Sequence, residues 1–273
     1  MAVSLKQSIS DVLRAAGSLS DNAAAQVSGP VRTGIDLGTA TCVLVTIDEE
    51  GAPVWIDATP TAAIRDGVVV DFAEAAAATT RLRARAEERL QRELTTAATC
   101  YPPCVGEAES RACRFVLEAA GFEEVSLIDE VSAANLALGV RDGVVVDVGG
   151  GSTGVGVFRN GSLELLDDRP GGGHHLDLIL SGAFGIDQDE AERRKREGSD
   201  GEFLSILRPG FERIAQNIAD LTRGADDLDV HLAGGALMYP GADSVIAAFL
   251  DRTVHSYPNA NLITPLGIAR SVA

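Results

Sequence analysis

Residues 143–157 read GVVVDVGGGSTGVGV, and a related stretch lies far upstream, TGIDLGTATCVLVTI at residues 33–47. Each is an apolar strand that ends in Asp-x-Gly, turns through small residues and re-enters as a second apolar strand. A hairpin turn closes each copy, at Glu50-Gly51 and at Asn160-Gly161. Asp36 precedes its turn by nearly the same span as Asp147 precedes the other. Two such copies predict two similarly built α/β halves facing one another.

The chemistry of the repeat follows from its residue types. A turn of small residues presents successive backbone N–H groups that can cradle phosphate oxygens. Glycine lets a phosphate approach the backbone closely. A carboxylate just before the turn can hold a hydrated Mg²⁺. A bound triphosphate brings about four negative charges, so two flanking carboxylates demand such a cation. One copy alone reads equally well as an Asp-Gly turn; two at matching places favour a phosphate site.

The surrounding chain supports an α/β class. Helices are expected over Arg81–Leu94, Glu107–Ala119, Val131–Leu138, Asp187–Arg196 and Ala242–Leu250. A longer one runs from Phe203 to Leu221, with a kink expected at Pro209-Gly210. Short strands are expected at Thr96–Cys100, Val125–Ile128 and Val230–Ala233. Residues 1–30 stand apart. Leu5, Ile9, Val12, Leu13, Ala16 and Leu19 form an apolar helical stripe, followed by a small, polar linker ending at Pro30. The stripe packs on its own domain or docks on a partner. The expected organisation is therefore 1–30 amphipathic helix and linker, 31–140 first half and 141–273 second half.

Composition narrows the function. The chain has 273 residues, 45% hydrophobic and 23% charged, as in an ordinary globular protein. A net charge of −17 argues against nucleic acid and against anionic membrane surfaces. No apolar run approaches the ~18 residues of a membrane span, and the N-terminus lacks the apolar core of a secretory signal. A cytoplasmic location is expected. Cys42, Cys100, Cys104 and Cys113 have no zinc-finger spacing and read as reduced thiols.

Five ordered motifs resemble the superfamily of actin, sugar kinases and DnaK-type chaperones. Residues 34–48 and 144–158 resemble its two phosphate motifs, and SLIDEVSAANLALG (126–139) its connecting motif. LAGGALMYPGADSVIAAFL (232–250) resembles the adenosine motif and LITPLGIARSVA (262–273) the closing helix. IRDGVVVDF (64–72) and residues 101–122 also look like bacterial actins and chaperones. The resemblance implies two ribonuclease H-like halves around a nucleotide cleft that takes ATP and Mg²⁺. Asp36 and Asp147 would hold Mg²⁺ through water, and Glu130 would orient the attacking water. Gly38, Thr39 and Ala40 would bind phosphate from one side. Gly149, Gly150, Gly151, Ser152 and Thr153 would bind it from the other. Gly172, in a segment running on to Asp177, opens a helix beside them. Glu192, Lys195, Gly234 and Gly235 would face the adenosine.

Other readings stay open at three places. Glu130 is otherwise a helix N-terminal acid. Glu192 to Lys195 is otherwise a solvated helix face. His174 and His175 are ligands or plain helix-start residues. The chain also departs from the superfamily. Its first half has no lysine after Lys6, where chaperones place one near the transferred phosphate. The short span between Asp177 and Gly234 implies a reduced upper subdomain in the second half. Val131 and Ser132 replace the usual residues of the connecting motif.

The chain also resembles the EutJ type of ethanolamine-utilisation operons, which is short and shares the segments at 65–71 and 145–154. That resemblance implies an ATP-binding, chaperone-like or reactivating protein of bacterial microcompartments, with weak ATPase activity at most. The alternative is a non-hydrolysing actin-like scaffold or assembly protein. A small-molecule kinase ranks third, since no insertion builds a sugar site. Expected partners are a protein client such as a cobalamin-dependent lyase, a microcompartment shell reached by the N-terminal helix, or further copies of the chain.

Overall fold

The structure, a computed structural model, describes residues 8–19, 27–65, 67–198 and 200–273, without the side chains of 107 and 109. Leu5 and residues 20–26 of the expected linker lie outside the described residues.

The sequence repeat becomes a structural one. In the first half, β1 (Arg32–Leu37), β2 (Thr41–Ile47), β3 (Pro53–Pro60), β6 (Thr96–Tyr101) and β7 (Glu124–Asp129) form a sheet ordered β3-β2-β1-β6-β7. In the second, β8 (Gly143–Val148), β9 (Ser152–Arg159), β10 (Ser162–Pro170), β11 (Val230–Ala233) and β12 (Val254–His255) are ordered β10-β9-β8-β11-β12. Numbered within each half, both orders are 3-2-1-4-5. In both, the first three strands pair antiparallel and the last two join parallel. A two-stranded ribbon, β4 (Ile64–Arg65) with β5 (Val68–Val69), follows β3.

Helices cover both sheets. In the first half, α2 (Phe72–Leu90) and α3 (Glu107–Ala119) enclose Ile35, Leu44, Leu82, Val116 and Leu117 against the sheet. In the second, α5 (Gly173–Phe184), α7 (Leu204–Leu221) and α8 (Ala242–Leu250) cover the largest apolar cluster, centred on Phe211. The short polar α6 (Gln188–Glu197) packs on α5.

Between the sheets, α4 (Glu130–Leu138) and α9 (Ile263–Ser271) share one core, to which α1 (Ile9–Leu19) adds side chains from beside β3. That core joins Val43, Val45 and Ile56 of the first sheet to Val145, Phe158 and Ala233 of the second. Here α4 and α9 cross backbone to backbone. A Cβ at Gly267 would stand 1.7 Å from the Ala133 carbonyl oxygen. The terminal helix also returns across the 140/141 boundary to pack on β1, where a Cβ at Gly34 would lie 2.3 Å from the Ala269 nitrogen.

One expectation is amended and two gain detail. The helix expected from Arg81 begins at Phe72, because the Asp71 carboxylate caps it by accepting the Glu74 N–H at 3.0 Å. The uniform alanines from Ala75 to Ala78 give that first stretch no apolar periodicity to read. The long helix runs unbroken from Leu204 to Leu221 with Pro209 in its second turn. The N-terminal stripe is seated on its own domain: Val12, Leu13 and Ala16 are buried against β3 and the central core, and Asn259 donates to the Leu13 carbonyl at 2.9 Å.

Candidate functional site

The two aspartate turns converge on one cleft between the halves. Asp36 sits near the end of β1 and Asp147 near the end of β8, each leading into the turn to the next strand. A Cβ at Gly150 would lie 3.1 Å from the Thr39 Cβ and 3.9 Å from the Ala40 nitrogen, so the turns abut across the cleft. Asp36, Gly38, Thr39, Glu130, Asp147, Gly149, Gly150, Gly151 and Ser152 all line it. Glu130 reaches it as the first residue of α4, a helix whose start is fixed by the Asp129 side chain accepting the Ser132 N–H at 2.7 Å.

The cleft gathers three carboxyls whose proton affinities are all raised. Burial, then the charge of Asp147, raises the Asp36 carboxyl to about 7. Burial raises Asp147 as well, opposed by a hydroxyl bond from Thr264 at 2.5 Å. Glu130 is pushed well above the usual carboxylate range by burial and by both aspartates. No lysine or arginine lines the cleft among the described residues. Three carboxylates, Asp147 buried and Asp36 and Glu130 half-buried, with no lysine or arginine lining their cleft among the described residues, fit a divalent cation, which Asp36 and Asp147 would hold with Glu130 nearby. Such an ion, when bound, would neutralise the carboxylates and a polyphosphate together.

The other expected residues form a second cluster beside the phosphate turn. The strap from Pro170 to Gly173 is laced to it. The Gly171 N–H donates to the Gly151 carbonyl at 3.0 Å, and the Gly173 N–H donates to the Gly149 carbonyl at 2.9 Å. Thr153, buried behind the turn, donates its hydroxyl to the Gly171 carbonyl at 2.6 Å. Gly172 has no room for a side chain, since a Cβ would meet the Gly149 oxygen at 2.5 Å. Gly234 adopts φ +87° with its Cα against Asp147; a Cβ would lie 2.5 Å from the Asp147 Oδ1. Gly235 follows it toward Asn261.

Lys195 is brought to this cluster by α6. Its ammonium pairs with Asp177 at 2.6 Å and donates to the Gly173 carbonyl at 2.9 Å. Glu192 turns instead to Arg196, accepting from its Nε at 2.9 Å. His174 and His175 are exposed at the start of α5.

Two contributors escaped the sequence reading. Thr264, on α9, reaches Asp147 from the far end of the chain. Cys100 directs its thiol to Asp36 at 3.5 Å. Neither has a local pattern to mark it, although both lie in stretches that resemble superfamily motifs or directly precede one.

Paired 3-2-1-4-5 sheets, crossing helices and facing aspartate turns define the actin-like ATPase fold. The MreB/Mbl protein family model matches residues 58–180. The crystal structure of MreB5 of Spiroplasma citri bound to ADP superposes with TM-score 0.71 at 16% identity, covering 87% of this chain and 94% of that one. Over 258 residues the chain is 25% identical to the HscA chaperone homologue of Methylibium petroleiphilum, spanning 76% of this chain and 42% of that protein.

Nearer relatives narrow the class. The chain is 34% identical over 260 residues to the ethanolamine utilization protein EutJ of Escherichia coli K12, covering 95% of this chain and 92% of that protein. The crystal structure of EutJ from Carboxydothermus hydrogenoformans superposes with TM-score 0.91 at 36% identity, covering 96% and 97%. The chain belongs to the EutJ family of ethanolamine-utilisation proteins.

Proposed function

We propose that the cleft binds an adenine nucleotide with Mg²⁺, and that the protein is a nucleotide-dependent, chaperone-like or reactivating factor of ethanolamine utilisation. The observation that supports this most is the convergence of Asp36, Asp147 and Glu130, with no lysine or arginine lining their cleft among the described residues, beneath two abutting small-residue turns. Gly38, Thr39 and Ala40 offer backbone N–H groups from one side and Gly149 to Ser152 from the other, while Thr153 braces the second turn from behind. Gly234, Gly235 and Lys195 lie toward the nucleoside end of this reading. The nucleotide-bound state of the MreB5 neighbour and the likeness to an HscA chaperone homologue are in keeping with it.

Isothermal titration of Mg²⁺ and ATP into the wild type and Asp147→Ala tests the binding. Heat from the wild type that disappears in the variant is expected. No heat from either protein overturns the reading.

A second reading is favoured by the absence of any lysine or arginine lining the cleft among the described residues. Phosphoryl transfer gains its largest electrostatic help from such cations, so the bound nucleotide would serve a non-hydrolysing scaffold or assembly role. Phosphate release separates the two. Release lost in Glu130→Ala marks hydrolysis, and no release by the wild type marks the scaffold.

The site of action in this reading is the cytoplasm or a microcompartment within it. No described helix is long and apolar enough to cross a membrane. A shell partner engaged by the N-terminal stripe would first have to draw Leu13 out of its buried seat. A client enzyme, a cobalamin-dependent lyase among the candidates, would instead meet the folded surface.

A further inference from the structure

On the second half, a groove lies between α5 and α7. Leu178, Ile179, Pro209 and Ile214 give it apolar walls, and His175 and Arg213 stand in its lining. Sequence explains the shape. His175, Leu178 and Ile179 share one face of α5, while Pro209, Arg213 and Ile214 share one face of α7. At Gly210 the helices nearly touch, since a Cβ there would lie 2.6 Å from the Leu176 Cδ2 and 2.8 Å from the Ile179 Cδ1. Leu178 is 45% exposed.

The groove carries two basic side chains and no acidic one in its lining among the described residues. Acidic residues outnumber basic ones 40 to 23, and arginines next along the surface are satisfied: Arg208 by Glu212, Arg169 and Arg223 by Asp220. Arg213 and His175 have no acidic partner among the described residues. At physiological ionic strength a charge is screened beyond about 8 Å. The local arginine therefore governs what docks here, rather than the net −17.

The groove also shares a wall with the nucleotide site. Pro170 and Gly171 line it, and the strap they begin donates to the carbonyls of Gly149 and Gly151, with the next residue, His174, donating to that of Gly150. From the α7 side, buried Asn217 donates its side-chain amide to the Pro170 carbonyl at 3.2 Å.

We infer that this groove is a docking site for an amphipathic peptide segment of a protein partner, one that lays apolar side chains on Leu178 and Pro209 and sets a carboxylate against Arg213. Helix-in-groove recognition has this form. The strap gives the site a second property, which rests on the nucleotide reading above: the peptide's affinity responds to whether the phosphate turn is occupied.

The test uses a fluorescein-labelled peptide of about 15 residues built from Leu, Ala and Glu, and its counterpart with Lys for Glu. Anisotropy titrations on the full chain compare wild type, Arg213→Glu and Leu178→Asp. The wild type should prefer the Glu peptide by about fivefold, and Arg213→Glu should invert that order. Leu178→Asp should weaken the Glu peptide by about tenfold. Both positions are exposed, so melting temperatures should hold. Three results overturn the proposal: neither peptide binding the wild type, a preference blind to residue 213, or wild-type self-association that Arg213→Glu abolishes, which would make a second copy the occupant. Repeating the titration with Mg²⁺ and ATP, with calorimetry on the same sample, should change the peptide's affinity by about fivefold. Nucleotide bound without that change removes the coupling. Nucleotide not bound removes the cleft reading and leaves the groove result standing.

Discussion

Replacing Asp36 with Asn should make the ligand-free protein more stable at pH 8 while removing its response to Mg²⁺. The carboxyl rises from 3.8 to about 7 in the fold, first through burial and then through Asp147. Each unit is worth about 1.4 kcal/mol, so ionised Asp36 costs the empty fold about 4 kcal/mol. The folded state holds this proton more tightly than the unfolded chain. Stability from this group is therefore greatest below pH 4 and falls as pH rises to about 7. Between pH 5 and pH 8 the wild type should lose about 3 kcal/mol through it. Asn keeps an acceptor for the Cys100 thiol and carries no charge to bury. Urea denaturation at both pH values in EDTA should give Asp36→Asn a flatter profile and an advantage at pH 8 of up to about 4 kcal/mol. Excess Mg²⁺ should stabilise the wild type at pH 8 and leave the variant unmoved. Parallel pH profiles, or a variant no more stable than the wild type at pH 8, would refute the placement of three unneutralised acids in one cleft.

Other perturbations probe the scaffold around that cleft. Gly267→Ala should destabilise the chain by at least about 3 kcal/mol in urea denaturation, because the new methyl group would overlap the Ala133 carbonyl. Thr264→Val should weaken nucleotide binding with Mg²⁺ about tenfold by calorimetry, through the loss of a hydroxyl bond to an ionised Asp147. Leu13→Ala should cost about 2–5 kcal/mol, since that side chain is fully buried; a loss below about 0.5 kcal/mol would show that the helix is not seated in solution.

What could be read from the sequence divides by distance along the chain. Asp36, Asp147 and their turns were legible because strand, carboxylate and small-residue bend are contiguous and occur twice. The ends of α3, β11 and α8 were legible for the same reason, being set by flanking Pro, Gly and apolar spacing. Thr264 was not, because its bond to Asp147 exists only once α9 has returned to the first sheet. The true start of α2 turned on a single capping aspartate ahead of an alanine run. The groove between α5 and α7 depends on two helix faces meeting at Gly210, a relation that neither helix announces alone.

The return of α9 to β1 bears on how the polypeptide is made. The first sheet is translated early, yet the helix that roofs its inner face is decoded only after the whole second sheet. A nascent first half leaving the ribosome must wait with Val43, Val45 and Ile56 incompletely sheltered. Splitting the gene near residue 140 would yield an amino-terminal fragment short of its own lid, and co-expressing the remainder should rescue it.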